Sequence, residues 1–375
     1  MHIGFISPRY PPSVVGGGEI SVQLLAENLI EEDWVDSVQV FTIDGNSTEK
    51  RNGVEIHRVS ELDIGTKEIT NLKALYNFRS YFSDFKELDL LHSYNMKLHP
   101  LTAYLSNKYD IPSVATLNSY EYITEKLSAQ YHEPIKSAYR YISLSLLEKL
   151  TLSWKNDIDA LVALSESVKS IYVDNGFQLE KIVVIPNMID PKLVSNDRIK
   201  SANITTLLYA GAIKKPKGVE YLVKSLVYLP DNVCLRIAGT GDQLGEIKSL
   251  VEEHELNSRV EFVGWLDHEE ISDFYSSGDI FVHPGVWPEP FGRTLLEAMQ
   301  HSLPVVATRV GGNPEIIQQS KLLCRSESPA ALAIAIKYAR KNRTKYGKEN
   351  VEYARRLYHP KEIIPKYKSV YKEIV

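Results

Sequence analysis

The stretch HPGVWPEPFGRTLLEAMQHSLPVVATRVGGNPEII, residues 283–317, decides how the rest of the chain is read. It starts at the end of a β-rich run, 280–283, and passes through a loop holding Pro284, Gly285, Pro288 and Pro290. Prolines on both sides of Glu289 keep that residue out of a helix interior, because each ring removes a helical hydrogen bond and restricts the residue before it. A helix therefore begins only near Phe291–Gly292 and runs through TLLEAM, with Glu297 within about two turns of its start. The first-turn N–H groups of a helix lack internal partners and carry partial positive charge, so this end can hold an anion such as a phosphate. Two carboxylates beside that anion suit a ligand that also presents neutral diols, since an ionised carboxylate accepts two hydrogen bonds. A sugar and a ribose supply such hydroxyls. The alternative for this segment alone is a surface acid followed by an ordinary helix glutamate.

Short β-rich runs alternate with helical stretches throughout the chain. Strands are expected at 2–7, 38–43, 54–59, 88–93, 112–117, 160–164 and 182–186, then at 205–210, 233–238, 260–263, 280–283, 304–307 and 321–323. The helices between them are expected at 19–31, 69–86, 97–108, 120–155 and 165–175, then at 217–228, 242–255, 268–275, 292–301, 312–318, 329–342 and 345–356. This alternation implies crossover units and parallel sheets. The pattern restarts after PNMIDPKLVSNDRIKSAN, residues 186–203, which has turn formers and no period. The expected fold class is α/β, with two Rossmann-like doubly wound domains, 1–190 and 191–358, and a closing segment, 359–375. Two such domains would put the carboxyl ends of their sheets at a shared cleft, and in open α/β sheets ligands bind just outside those ends.

Composition fits this organisation. At 375 residues, 43% hydrophobic and 24% charged, the chain is long enough for two self-sufficient cores. Cys234 and Cys324 are far apart in apolar runs and read as small buried hydrophobes of a reducing compartment. MHIGFIS enters a strand directly without a signal-peptide pattern, and no window approaches a membrane span, so a cytoplasmic protein is expected. Residues 1–190 hold 17 basic against 26 acidic side chains, which argues against a nucleic-acid partner. Residues 319–375 hold 14 basic against 5 acidic, so docking of the tail on the acidic first domain would be electrostatically favourable, with Pro360 and Pro365 fixing bends in 359–375 and its apolar side chains packing. A solvated tail, or one meeting an anionic membrane at the inner face, is the alternative.

The full string EPFGRTLLEAM…PVVAT…GGNPEII resembles the donor-binding signature of retaining glycosyltransferases of family 4, which have the GT-B fold. PPSVVGGGE, LVALSESVKSIY, KIVVIPNMID, YAGAIKKPKG and IAGTGDQ are similar to further family segments, in the right order along nearly the whole chain. The resemblance implies transfer of a sugar from a nucleotide diphospho-sugar to a hydroxyl of a glycan, lipid-linked or small-molecule acceptor, with no metal and no cofactor. It implies that Glu297 binds the ribose hydroxyls and Glu289 contacts the donor sugar. Phe291 and Gly292 would face the sugar and diphosphate, and Gly16 and Gly17 would let backbone approach donor phosphate and acceptor. Glycine at a helix start permits unusual dihedrals and close approach, which agrees. Lys217 matches the lysine that neutralises the diphosphate.

Three positions depart from the family pattern. Ala212 stands where an arginine is expected, leaving Lys214, Lys215 or Arg293 to compensate. Asn118 stands where many members carry histidine; it can bond a sugar hydroxyl but does not titrate near neutral pH. Met188 replaces a glycine. Two alternatives stay open: a GT-B nucleotide-sugar epimerase acting on the same donors, and, because of Ala212 and Asn118, a donor-binding module with weakened catalysis.

Four other features read as structural or stay open. IAGTGDQLG has the wrong glycine spacing for a dinucleotide fingerprint. Asp157 and Asp159 resemble a metal-binding acid pair but fall at a helix-to-strand boundary. His92 and His99 lack a third metal ligand, and His92 either lines the cleft or packs. The aromatic, lysine-interleaved stretch 120–155 suits core packing or a membrane-facing amphipathic helix.

Overall fold

The computed structural model describes residues 1–62, 67–120, 154–193, 204–267 and 270–375. These form two compact units, Met1–Met188 together with Pro360–Val375, and Ile189–His359.

The first unit is built on an eight-stranded sheet of β1 (His2–Ile6), β2 (Ser37–Thr42), β3 (Ser47–Arg51), β4 (Val54–Arg58), β5 (Leu90–Ser93), β6 (Ser113–Leu117), β7 (Ala160–Ala163) and β8 (Ile182–Val184). Its order is β3-β4-β2-β1-β5-β6-β7-β8, parallel except for β3. The central strands are covered on both faces, which is why they read as continuous apolar runs. β3, the polar run STEKR, was not expected from the sequence. It is fully exposed, and Arg51 pairs with Val54 around Asn52 and Gly53, both at positive φ. That two-residue turn closes a hairpin, and a charged outer strand discourages pairing with other chains.

The expected helix 69–86 is broken into a helix Lys67–Asn77, a tighter turn Phe78–Tyr81 and a single turn Phe82–Phe85. Phe78, Tyr81 and Phe85 all pack around Phe41, at ring distances of 6.2, 5.9 and 4.7 Å, so tertiary packing overrides local propensity. His92 does not line a ligand-binding surface. It is fully buried, with Nδ1 2.6 Å from the Tyr371 hydroxyl and Nε2 2.8 Å from Thr116 Oγ1. Asp159 takes the Ser113 N–H at 2.8 Å, a structural tie between β7 and β6. The stretch 121–153, with most of the aromatic segment singled out above, lies outside the described residues, as does 194–203 of the expected linker.

The closing segment is one helix, Pro360–Ile374, whose Ile363, Ile364, Tyr367, Val370 and Tyr371 join the core around Ile3, Phe5, Leu90 and Val114. Pro360 is its first residue, where a missing N–H is harmless; Pro365 sits inside the helix and does not end it, contrary to the expected bends.

The second unit carries β9 (Thr205–Ala210), β10 (Val233–Ala238), β11 (Val260–Gly264), β12 (Ile280–His283), β13 (Val305–Thr308) and β14 (Leu323–Cys324). Their order, β11-β10-β9-β12-β13-β14, is all parallel and reverses direction between β9 and β12. Such a reversal parts the loops that follow the two strands and opens a crevice at their carboxyl ends. No described helix is long and apolar enough to cross a membrane.

Candidate functional site

The loops after β9 and β12 meet at this reversal. Pro216 O accepts hydrogen bonds from the N–H groups of Val286 at 3.0 Å and Trp287 at 3.3 Å. Gly218, at φ +65°, lies so close that a Cβ there would stand 2.2 Å from Pro284 O. Only glycine allows both the dihedral and the approach. The consequence is that Lys217 and Glu289, 72 residues apart, come together with Nζ 2.5 Å from Oε2. Burial acts to push the Glu289 carboxyl up, but the Lys217 ammonium, helped by His283, outweighs it and holds the carboxyl below its usual value. Lys214 and Lys215, by contrast, are exposed.

Glu289 is fixed from beneath by the GGN turn. Gly311 has φ +52°, and a Cβ on it would stand 2.2 Å from Glu289 O and 2.5 Å from Glu289 N. The Gly312 N–H donates to Glu289 O at 2.9 Å. Phe291 is buried, Gly292 caps the helix Arg293–Gln300, and Glu297 sits in that helix, 9% exposed. The Tyr275 hydroxyl donates to Glu297 Oε2 at 2.9 Å, and Arg293 Nε lies 3.0 Å from Oε1. Burial, reinforced by the Glu297 charge, keeps the Tyr275 hydroxyl protonated and therefore a donor. Arg293, expected as a stand-in for the arginine missing at 212, is engaged by Glu297. Ala212 presents only its carbonyl, which accepts from the Tyr209 hydroxyl at 2.8 Å.

Sequence reasoning missed Tyr275 and His283. The one signal for Tyr275 was an aromatic pair, Phe274–Tyr275, at the end of the helix that leads into β12. IAGTGDQLG begins on the last two residues of β10, and two of its three glycines serve packing: a Cβ on Gly239 would stand 2.0 Å from Gly211 O, and one on Gly241 2.2 Å from Ile213 O.

In the first unit the loop after β1 leads into the helix Gly17–Leu29, capped by Gly16. Gly16 does not adopt the unusual dihedral expected of it: φ is −164°, extended backbone open to any residue, and the nearest atom to a Cβ there is Glu19 Oε2 at 3.9 Å. A Cβ at this glycine would make only an ordinary contact with the flexible end of Glu19. Gly16 N donates to Glu19 Oε2 at 3.0 Å, while Gly17 begins the helix at the surface. Asn118, just after β6, donates Nδ2 to Tyr94 O at 2.7 Å and lies 3.7 Å from the Cβ position of Gly18. Asn118 and the glycine turn thus share the carboxyl end of this sheet.

Residues 15–193 match the family model Glycosyltransferase Family 4, and residues 196–357 match Glycosyl transferases group 1. An uncharacterized glycosyltransferase of Methanocaldococcus jannaschii is 27% identical over 341 residues, covering 85% of this chain and 83% of that protein. Among solved structures, the sucrose-phosphate synthase of Thermosynechococcus elongatus superposes with a TM-score of 0.82 at 23% identity, covering 99% of this chain and 98% of that one. Anabaena HepE in complex with UDP-glucose superposes with a TM-score of 0.79 at 19% identity, covering 100% of both chains. Matched in order along both of its units, the chain belongs to the family 4 glycosyltransferases and has the GT-B fold.

Proposed function

We propose that this glycosyltransferase moves a sugar, with retention of configuration, from a nucleotide diphospho-sugar to a hydroxyl of a glycan, lipid-linked or small-molecule acceptor, without a metal. The observation that carries the reading is the meeting of Lys217 and Glu289 beside the start of the Arg293–Gln300 helix, at the point where the sheet order reverses. A cation and helix N–H groups suit a diphosphate; a carboxylate next to them suits the hydroxyls of the sugar it bears. Glu297, oriented by Tyr275 and Arg293, keeps lone pairs for a ribose diol. Anabaena HepE, a similar structure, was solved with UDP-glucose, which favours a donor of that class.

In this reading the bond from sugar C1 to the phosphate oxygen breaks and a bond from C1 to the acceptor oxygen forms on the same face. The departing phosphate oxygen takes the acceptor's proton. The protein supplies position and positive charge, from Lys217 and the helix start, as charge grows on the leaving diphosphate. Acceptors are assigned to the first unit, where the exposed glycine turn Gly16–Gly17 and the Asn118 side chain stand at the carboxyl end of the sheet. The test is proton NMR of products formed from UDP-glucose and a panel of acceptors, with and without EDTA. An inverted product, or turnover lost on chelation and restored by magnesium, overturns the mechanism. Donor binding with no turnover on any acceptor would mark a binding module.

A further inference from the structure

β12 ends on His283, whose ring is enclosed in the second unit. It is 5% exposed, and neither Nδ1 nor Nε2 has a hydrogen-bond partner among the described residues. Other buried imidazoles keep at least one partner; His99 bonds Ser93 Oγ through Nδ1 and leaves only Nε2 unpaired. His92 uses both nitrogens, and His301 bonds Ser272 Oγ and the Glu297 carbonyl. A buried polar ring without partners destabilises the fold relative to an apolar side chain of similar size, so its place at a site calls for a reason.

Its surroundings supply one. Nε2 lies 3.4 Å from where a Cβ on Gly285 would stand, so residue 285 contributes no side chain to cover it. Burial pushes the imidazole down to about 4, Glu289 opposes that, and Lys217 adds to it, which places the ring within the field of both site charges. A neutral imidazole has one nitrogen that donates and one that accepts. That pair complements hydroxyls, which do both, better than phosphate oxygens, which only accept.

We propose that His283 is a ligand-contacting residue whose ring nitrogens hydrogen-bond hydroxyls of the sugar to be transferred, reached past Gly285 and beside Glu289. The inference rests on the donor-site reading above and goes beyond it by adding a sugar-selective contact. The experiment titrates wild type, His283→Leu and His283→Gln with UDP and with UDP-glucose by calorimetry, and melts each ligand-free protein. GDP-mannose and ADP-glucose with their nucleotides replace these if wild type prefers them.

His283→Leu is expected to melt at or above the wild-type temperature and to bind the free nucleoside diphosphate unchanged. Its affinity for the intact donor is expected to fall about tenfold, the scale of one or two lost hydrogen bonds, with part recovered in His283→Gln. Equal affinity of wild type and His283→Leu for the intact donor overturns the proposal. So does a loss shared equally by nucleotide and nucleotide-sugar with a lowered melting temperature, which marks a structural role. A wild type that binds none of the nucleotides overturns the donor-site reading itself and this inference with it.

Discussion

Tyr275 donates its hydroxyl to Glu297 Oε2 across 2.9 Å, from a different helix and from inside the core. With Arg293 on Oε1, the carboxylate cannot rotate without leaving a buried hydroxyl unsatisfied. The position of Glu297 is therefore set by Tyr275 as much as by its own helix.

Removing that hydroxyl tests the point. Tyr275→Phe keeps the ring packed between Phe281 and His301 and removes only the bond. A hydrogen bond to a charged group contributes about 1.5–3 kcal/mol, so thermal stability should fall, and affinity for a nucleoside diphosphate should fall with it. Calorimetry on Tyr275→Phe would show this; unchanged nucleotide affinity would separate Glu297 from the ligand.

The two glutamates should fail differently. Glu297→Ala is expected to weaken binding of the free nucleoside diphosphate, while Glu289→Ala mainly lowers turnover with the intact sugar donor. Each loses a charge-assisted interaction of about 1.5–3 kcal/mol, roughly ten- to a hundredfold. Steady-state kinetics beside nucleotide titrations would resolve the pair, and wild-type behaviour of both variants would refute the donor-site assignment.

Lys217→Met should be more damaging than Lys214→Met or Lys215→Met, because only Lys217 is drawn against Glu289. It should also change the pH profile. With the ammonium gone, burial is opposed only by His283, so the pKa of Glu289 should rise. The acidic limb of activity should move to higher pH in Lys217→Met. In wild type the depressed pKa contributes stability above the ordinary carboxylate value, lost as pH falls through the folded value. A pH–rate profile of the variant superimposable on that of wild type would exclude this coupling.

Gly311→Ala should displace Glu289 while leaving every ligand-contacting side chain chemically unchanged. The new methyl group would meet Glu289 N and O at a backbone dihedral that already disfavours a side chain, φ +52°. A stability loss of about 1–3 kcal/mol is expected, with turnover reduced in the fraction that stays folded. Melting curves and single-turnover rates would show both; wild-type turnover would mean that the turn does not set Glu289.

Deleting residues 360–375 should prevent the first unit from folding. Ile363, Ile364, Tyr367, Val370 and Tyr371 are each 4% exposed or less, and each such side chain contributes about 1.5–3 kcal/mol on burial. Their sum rivals the whole stability of a typical domain. His92 would also lose Tyr371. Loss of near-ultraviolet dichroism and of solubility is expected; a soluble truncation that lost only liposome binding would mark the tail as a membrane contact instead.

The reach of sequence reading followed the range of the interactions involved. β10 and β12 were placed residue for residue because their apolar runs end abruptly at glycine, aspartate or proline. The family string around Glu289 and Glu297 was legible because it is contiguous. β3 escaped notice because an exposed edge strand needs no apolar pattern, although Asn52-Gly53 was a turn signal. Nothing local announces that Lys217 meets Glu289, that Tyr275 holds Glu297, or that Arg293 is engaged before any phosphate arrives. Those facts depend on which strands are neighbours, and spacing along the chain does not encode that.

The second unit starts at Ile189 and stops at His359, and the Ile189 N–H donates to Tyr358 O at 2.8 Å, so its entrance and exit lie side by side. It is an insertion in the first unit, which is assembled from both ends of the chain. On the ribosome, residues 1–188 emerge first, yet their core lacks Ile363, Tyr367 and Tyr371 until the whole insertion has been made. The later-made unit is thus the first that can complete its fold. The apolar face around Ile3 and Leu90 must wait for these side chains through the synthesis of the entire insertion, an interval in which exposed apolar surface favours aggregation.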